Sequence, residues 1–349
     1  MINKEFGSDF HSCNQEFILD KNQRNFFEDE NFSFFLSGRS ALYALLQHGI
    51  KNNGWKKVYI PSYYCQDVIE NLSNLNIQVI VFRSNPNNLI LDYDFFEDEE
   101  TSVFVNVNYF GVRDFNTQLF KKIVVVDDLT HNINAIKISN ANYVFGSLRK
   151  QLPIPLGGFL YSPNKFQLPE GKESILADQV AENKTLGMFL KNEYLQNRFS
   201  NKDLYRSYYS KAEEQLTKLY RDYKLPVLAE NILERLNVEE IFKKKESNIQ
   251  LALKYLKDYL NYTFSVDENS LGLLLFFDSN IQRDFIRNKL IKSNVYPAIL
   301  WPNQKIDNDI SYQNRFLFLH TDYRYSKEDI IYITTALKKS IQECQKQKL

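Results

Sequence analysis

The 349-residue chain has no net charge to use: Lys plus Arg total 43 and so do Asp plus Glu. No long-range field therefore draws it to nucleic acid or to an anionic membrane, and any basic site must be local. Its three cysteines, Cys13, Cys65 and Cys344, are an odd number at unrelated spacings. They exclude a disulfide framework, offer no metal-type pair, and fit a reducing cytoplasm. The opening MINKEFGSDFHS lacks the apolar core of a signal peptide. A run of about 18 apolar residues, which a bilayer-spanning helix would need, is also missing. A soluble, cytoplasmic protein without a metal site is expected. Neither the GxGxxG dinucleotide signature nor the GxxxxGK nucleotide loop occurs, and there is no internal repeat or disordered linker.

Apolar residues are abundant, at 44%, and 27 Phe with 22 Tyr supply an aromatic interior. A chain of this length can bury a large core and divide into a larger and a smaller lobe. Between Phe32 and Tyr161 short apolar runs alternate with amphipathic ones: FSFFL, then the helix-like SALYALLQHGI, KVYI ending at Pro61, the helix-like QDVIENLSNL, IQVIVF, VFVNV, IVVV, YVFG and GFLYS. Runs this apolar, separated by helices, predict an α/β fold with a mostly parallel sheet covered on both faces. Ligands of such sheets sit at the carboxyl ends of the strands. From about Leu176 to Leu260 the pattern is helical, and the remainder mixes strands (LGLLLFF, RFLFLH) with helices. This predicts a large domain over 1–235, with an N-terminal arm over 1–30, and a small α+β domain over 236–349.

Each motif follows one of these strands. LSGRSAL places Ser37, Gly38, Arg39 and Ser40 at a glycine turn and a helix start, where free amides and hydroxyls can hold a phosphate; a serine there also serves as an ordinary N-cap. PSYYC sets Tyr64 and Cys65 where a flat ring could be covered, or where an aromatic pair packs a loop. NYFG puts Asn108 at a strand end, available to a ring hydroxyl or simply to turn geometry. VVVDDLTH carries Asp128 at the end of a buried strand, and His131 three residues on can orient that carboxylate or border a ring, although either acid can also cap a loop. In GSLRKQLPIPLGG, Ser147 and Lys150 sit between two strands. A loop lysine taken alone is commonly solvated and inert. Here the amine can bond a cofactor aldehyde, while the strand-end acid holds a pyridine nitrogen protonated. The order of parts is that of a pyridoxal phosphate (PLP) enzyme.

These segments, LSGRSAL, KVYIPSYYC, NYFG, VVDDLTH and SLRKQLPIPLGGFL, resemble the DegT/DnrJ/StrS family of sugar aminotransferases. The resemblance extends more loosely to FLFLHTDYRYSKEDI near the C-terminus. It implies the fold-type I architecture of PLP-dependent transferases. It makes Lys150 the lysine that bonds the cofactor and Asp128 the partner of the pyridine nitrogen. Ser147 and the turn Ser37 to Ser40 would take the phosphate, Tyr64 or Cys65 the ring face, and His131 and Asn108 the polar positions beside the ring. The segment SLRK is shorter between serine and lysine than the family's usual spacing, which marks a divergent branch. The resemblance further implies a homodimer with a partner residue completing the site, an amino-acid donor such as glutamate, a nucleotide-linked keto sugar as acceptor, and a role in polysaccharide synthesis. Tyr296, Trp301, His320 and Arg324 are candidates for substrate recognition, or for ordinary packing and ion pairing. Alternatives that keep the same residues are a PLP lyase or dehydratase, and a non-catalytic binding protein on a transferase fold.

Overall fold

The computed structural model describes all residues except 1–3, 14, 20–23, 29, 30, 113, 263–269, 348 and 349, so parts of the expected arm over 1–30 lie outside the described residues. In chain order the strands are β1 (Phe6–Gly7), β2 (Phe32–Phe35), β3 (Lys57–Pro61), β4 (Gln78–Phe82), β5 (Ser102–Val107), β6 (Val124–Asp128), β7 (Tyr143–Ser147), β8 (Gly158–Tyr161), β9 (Leu273–Phe276), β10 (Val295–Tyr296) and β11 (Phe316–Leu319). The α-helices are α1 (Gly38–Asn52), α2 (Gln66–Leu72), α3 (Ile175–Leu195), α4 (Lys202–Lys218), α5 (Val227–Leu233), α6 (Val238–Tyr255), α7 (Asn280–Lys292), α8 (Asp307–Arg315) and α9 (Lys327–Lys346). Among the described residues no helix is long and apolar enough to cross a membrane.

The chain divides into two compact units, one of Phe10–Tyr109 and Arg113–Val238, the other of Met1–Asp9, Phe110–Val112 and Glu239–Leu349. The first is built on a seven-stranded sheet in the order β2-β8-β7-β6-β5-β3-β4. Strands β4, β3, β5, β6 and β7 run parallel; β8 is antiparallel to β7, and β2, paired antiparallel to β8, returns to the common direction at that edge. Apolarity explains the order. SVFVNV of β5 is buried at every position and sits in the interior, while QVIVF of β4 is half exposed and forms the opposite edge. Helix α1 begins at Ser37, whose side chain accepts the Ser40 N–H at 3.2 Å, and it packs on β2, β7 and β8.

In the second unit β9 and β11 form an antiparallel pair and β1 lies parallel to β10. Leu273, Leu275, Leu317 and Leu319 face Ile333, Leu337 and Ile341 of α9 in one core, to which β1 adds Phe6. Truncating one such buried leucine to alanine costs about 2–5 kcal/mol. Helix α9 starts with a capping box between Ser326 and Asp329.

Candidate active site

The two acids at the end of β6 part company because successive strand residues face opposite sides of the sheet. Asp127, opposite Asn106 in register, accepts Asn106 Nδ2 at 2.8 Å and Ser139 Oγ at 2.6 Å. Asp128 is only 3% exposed. Its Oδ2 accepts the Tyr64 hydroxyl and its Oδ1 accepts the Thr130 N–H at 2.9 Å. Burial raises the Asp128 carboxyl above the usual aspartate value, and hydrogen bonds from the Thr130 side chain, Tyr64 and the Thr130 N–H offset only part of that rise. All of these donors are neutral, which leaves the acid suited to a cationic partner.

Thr130 ties this strand end to the lysine loop. Its hydroxyl accepts the Ser147 N–H at 3.1 Å and its carbonyl accepts Gln151 Nε2 at 2.8 Å. The loop closes on itself where the Leu148 N–H meets the Gly157 carbonyl at 2.9 Å, with Lys150 ending a single 3-10 turn over Leu148–Lys150. Lys150 is exposed, although much protein surrounds it. The charge of the adjacent Arg149 and then desolvation lower its ammonium from the ordinary value to about 8, against an opposing pull from Glu213. Solvent access tempers the desolvation part, so the Arg149 charge is the cause that carries most weight. The Lys150 charge reaches His131 and Cys65. His131 is buried and is pushed down to about 3, by burial first and by Lys150 second, so it stays neutral. Burial raises the Cys65 thiol, so it too is uncharged.

The phosphate-type turn adjoins the same loop. A Cβ placed on Gly38 would lie 3.1 Å from both the Gly146 carbonyl carbon and the Ser147 nitrogen, so glycine permits the start of α1 to meet the end of β7. The hydroxyls of Ser37 and Ser40 lie 3.1 Å apart, and Ser40 Oγ reaches the Leu219 carbonyl at 3.4 Å. Arg39 pairs with Asp67 at 3.3 Å.

Thus Ser37, Gly38, Ser40, Tyr64, Cys65, Asp128, His131, Ser147 and Lys150 belong to one connected cluster. The Asn108 side chain goes elsewhere. It hydrogen-bonds Asp114 and, with Asp127, lines a cavity of about 790 Å³, while its buried Oδ1 accepts no hydrogen bond. Tyr64 differs from Cys65 as well, because its buried hydroxyl is committed to Asp128 while Cys65 remains half-buried. Three residues that the motifs do not single out also act here: Thr130, Gln151 and Glu213. Glu213 of α4 accepts both terminal nitrogens of Arg149, at 3.0 and 3.2 Å, and is also paired with Lys184 of α3. Burial alone would raise its carboxyl, but Arg149 and Lys184 hold it at about 2.

The second unit's candidates each have partners within that unit. Arg324 binds Asp322 with two hydrogen bonds of 2.8 Å, and its Nη1 reaches the carbonyls of Ser8 and Asp9. His320 Nδ1 is 3.6 Å from Asp322 and its ring is edge-on to Phe318. Trp301 lies 6.4 Å from the Phe110 ring, and the Tyr296 hydroxyl is 3.4 Å from Asn294 Oδ1. Among the described residues no group of three or more His, Cys, Asp or Glu could hold a metal ion.

Solved structures share this architecture. Spr1654 of Streptococcus pneumoniae, assigned as a sugar aminotransferase, superposes in its apo-form with a TM-score of 0.63 at 11% identity, over 99% of this chain and 100% of that one. Its PMP-form gives 0.57 at 13% identity over 90% and 88%. NtdA of Bacillus subtilis with bound cofactor PMP gives 0.60 at 13% identity over 89% and 73%. The chain therefore has the mixed α/β, fold-type I architecture of these aminotransferases. No protein-family model and no curated protein matches the sequence.

Proposed function

We propose that this chain is a PLP-dependent aminotransferase of the DegT/DnrJ/StrS kind. It would move an amino group from an amino acid such as glutamate to a keto group of a nucleotide-linked sugar by a ping-pong mechanism, as a cytoplasmic homodimer. The observation that carries the reading is that Thr130 ties the buried Asp128 to Ser147, at the head of the loop whose exposed Lys150, three residues on, has a lowered pKa. The sugar-aminotransferase assignment of Spr1654 and the PMP bound in NtdA support the substrate class and the cofactor.

The residues present fit the cofactor. Asp128 is a buried carboxyl with neutral donors only, and a protonated pyridine nitrogen would give it the counter-charge that burial demands. The opening amides of α1 and the Ser147 hydroxyl would take the phosphate, as helix N-termini do. Cys65 offers the ring an uncharged side. When bound, PLP supplies an aldehyde that takes an amine and a ring that accepts electrons.

The protein's own part is proton handling. With a pKa of about 8, Lys150 Nζ is neutral in about a tenth of molecules near pH 7, enough both to act as nucleophile and to move a proton as general base and acid. His131 stays neutral beside it and adds no competing charge. The visible absorption of protein given PLP tests the assignment. The wild type should show a band that Lys150→Ala lacks, and glutamate should convert that band to the amine form of the cofactor. A keto sugar nucleotide should then restore it. Absence of any Lys150-dependent band overturns the reading, and elimination products without conversion would replace transfer by lyase chemistry.

A further inference from the structure

Tyr64 sits in a loop whose backbone is fixed from several sides. The Ser62 N–H donates to the Phe82 carbonyl at 2.9 Å, the Tyr63 N–H to the Ser84 carbonyl at 3.1 Å, and the Tyr64 N–H to the Ser62 carbonyl at 3.0 Å. Gln66 Nε2 closes on the Tyr64 carbonyl at 3.2 Å, and the Tyr109 hydroxyl holds the Tyr63 carbonyl at 2.8 Å. The Tyr64 side chain, 3% exposed, has little freedom, and its hydroxyl lands on Asp128 Oδ2. The opposite oxygen is held by Thr130. With donors on both oxygens, the Thr130 side chain among them, the carboxylate plane is fixed, and a lone pair remains for a further donor.

We infer that Tyr64 is a positioning residue: its hydroxyl fixes the orientation of the Asp128 carboxylate and favours its ionised form, so that the acid partners the ring nitrogen of the cofactor. The inference rests on the function proposed above. Burial and the nearby Asp128 both keep the Tyr64 hydroxyl protonated, so it donates rather than accepts. The other titratable groups acting on this pair are Cys65 and Tyr109 on the tyrosine side, and Asp127 on the reverse face of β6. His131, under the Lys150 charge, lies three residues beyond Asp128 and stays neutral. One dipeptide then divides two tasks, with Tyr64 acting through the ring's edge and Cys65 left for its face.

Tyr64→Phe keeps the ring and deletes only the donor. In protein loaded with PLP it should weaken cofactor binding about tenfold, the scale of one hydrogen bond to a charged group. The pH midpoint of the Lys150-dependent band should also move upward, because a less positive ring withdraws less from the Lys150 nitrogen. In an Asp128→Asn background the same change should have little further effect, since Tyr64 acts through the carboxylate. A fluorinated tyrosine placed at position 64 keeps the shape and donates more strongly, so it should move the midpoint downward; it serves equally if the Phe variant fails to fold. A normal band in the wild type with affinity and midpoint unchanged in Tyr64→Phe overturns the inference alone. An undiminished loss in the Asp128→Asn background shows a packing role and also overturns it. A wild type with no Lys150-dependent band defeats the functional reading, and this inference falls with it.

Discussion

Gly158 closes on the backbone of Ser37. A Cβ on Gly158 would stand 2.1 Å from the Ser37 carbonyl carbon and oxygen and 2.5 Å from the Gly38 nitrogen. These are main-chain atoms at the start of α1, bridged to the neighbouring Gly157, and they cannot swing aside as a flexible side chain can. Gly158→Ala must therefore displace the turn that opens α1. The expected loss is about 1–3 kcal/mol or more, on the scale of overpacking in a tight core. A lower denaturant midpoint at unchanged slope would show it, and cofactor affinity should fall with it, because the turn is the proposed phosphate site. An unchanged midpoint would mean that the contact is less rigid than its geometry implies.

Thr130 is the second point where local chemistry decides the site. Its hydroxyl is the acceptor for the Ser147 N–H. Thr130→Val keeps the shape but deletes that acceptor and the side-chain bond to Asp128, at an expected cost of about 1–3 kcal/mol. Thr130→Ser should restore most of the loss. Thermal unfolding of the three proteins gives the comparison, and the Lys150-dependent absorption should follow the same order if Ser147 and Lys150 move together. Equal stability of the Val and Ser variants would remove the Thr130 hydroxyl from the account, leaving its main-chain contacts to Asp128 and Gln151.

The strands and the turn at Ser37 were legible because they depend on local rules. Buried parallel strands need continuous apolar runs, as in SVFVNV, and a helix start needs a cap, as at Ser37. The reversed direction of β8, antiparallel to both β7 and β2, was not, since GFLY and FSFF read equally apolar in a parallel or an antiparallel pairing. Asp128, Ser147 and Lys150 could be named because each stands at or just beyond the end of a strand. The destination of a side chain is set by packing, so the Tyr64 hydroxyl on Asp128 and the turn of Asn108 toward Asp114 left no mark in the sequence. Glu213 shows the limit most plainly: it meets Arg149 from 64 residues away, and in its helix the adjacent Glu214 reads just the same.

That glutamate sets the charge around the lysine. Glu213 favours the charged form of Lys150, so Glu213→Gln should carry the Lys150 pKa below about 8. The pH at which the amine reacts half-maximally with PLP should shift downward, and stopped-flow absorption across neutral to alkaline pH measures it. Stability should respond as well. The Glu213 carboxyl is held at about 2, below its ordinary value, so its contribution is present above the ordinary glutamate range and is lost as pH falls toward about 2. Because this carboxylate is partly exposed, at 39%, the contribution is modest. The Gln variant should lack that acid-dependent part. An unshifted Lys150 midpoint would contradict the electrostatic coupling.

Arg324 and Asp322 make the opposite kind of pair, enclosed and closely fitted. Their side chains are 3% and 11% exposed, and two hydrogen bonds of 2.8 Å join them. Burial opposes the Asp322 charge, yet Arg324 holds its carboxyl well below the usual range. Arg324→Ala leaves that buried charge with His320 beside it but without the guanidinium, which should cost up to about 3–5 kcal/mol near neutral pH. Arg324→Lys should lose less, since it keeps the charge but not the two-pronged geometry. A carboxyl depressed on folding stabilises above its unfolded pKa, and that stability is lost as pH falls through the folded value. The gap between wild type and the Ala variant should therefore narrow once pH drops below about 4, the ordinary aspartate value. Chemical denaturation at neutral and acid pH measures the narrowing. The Ser8 and Asp9 carbonyls lose a donor in the same variant, so amide exchange at Phe6 and Gly7 in β1 should quicken. A constant gap across pH would show that Arg324 stabilises through packing rather than charge.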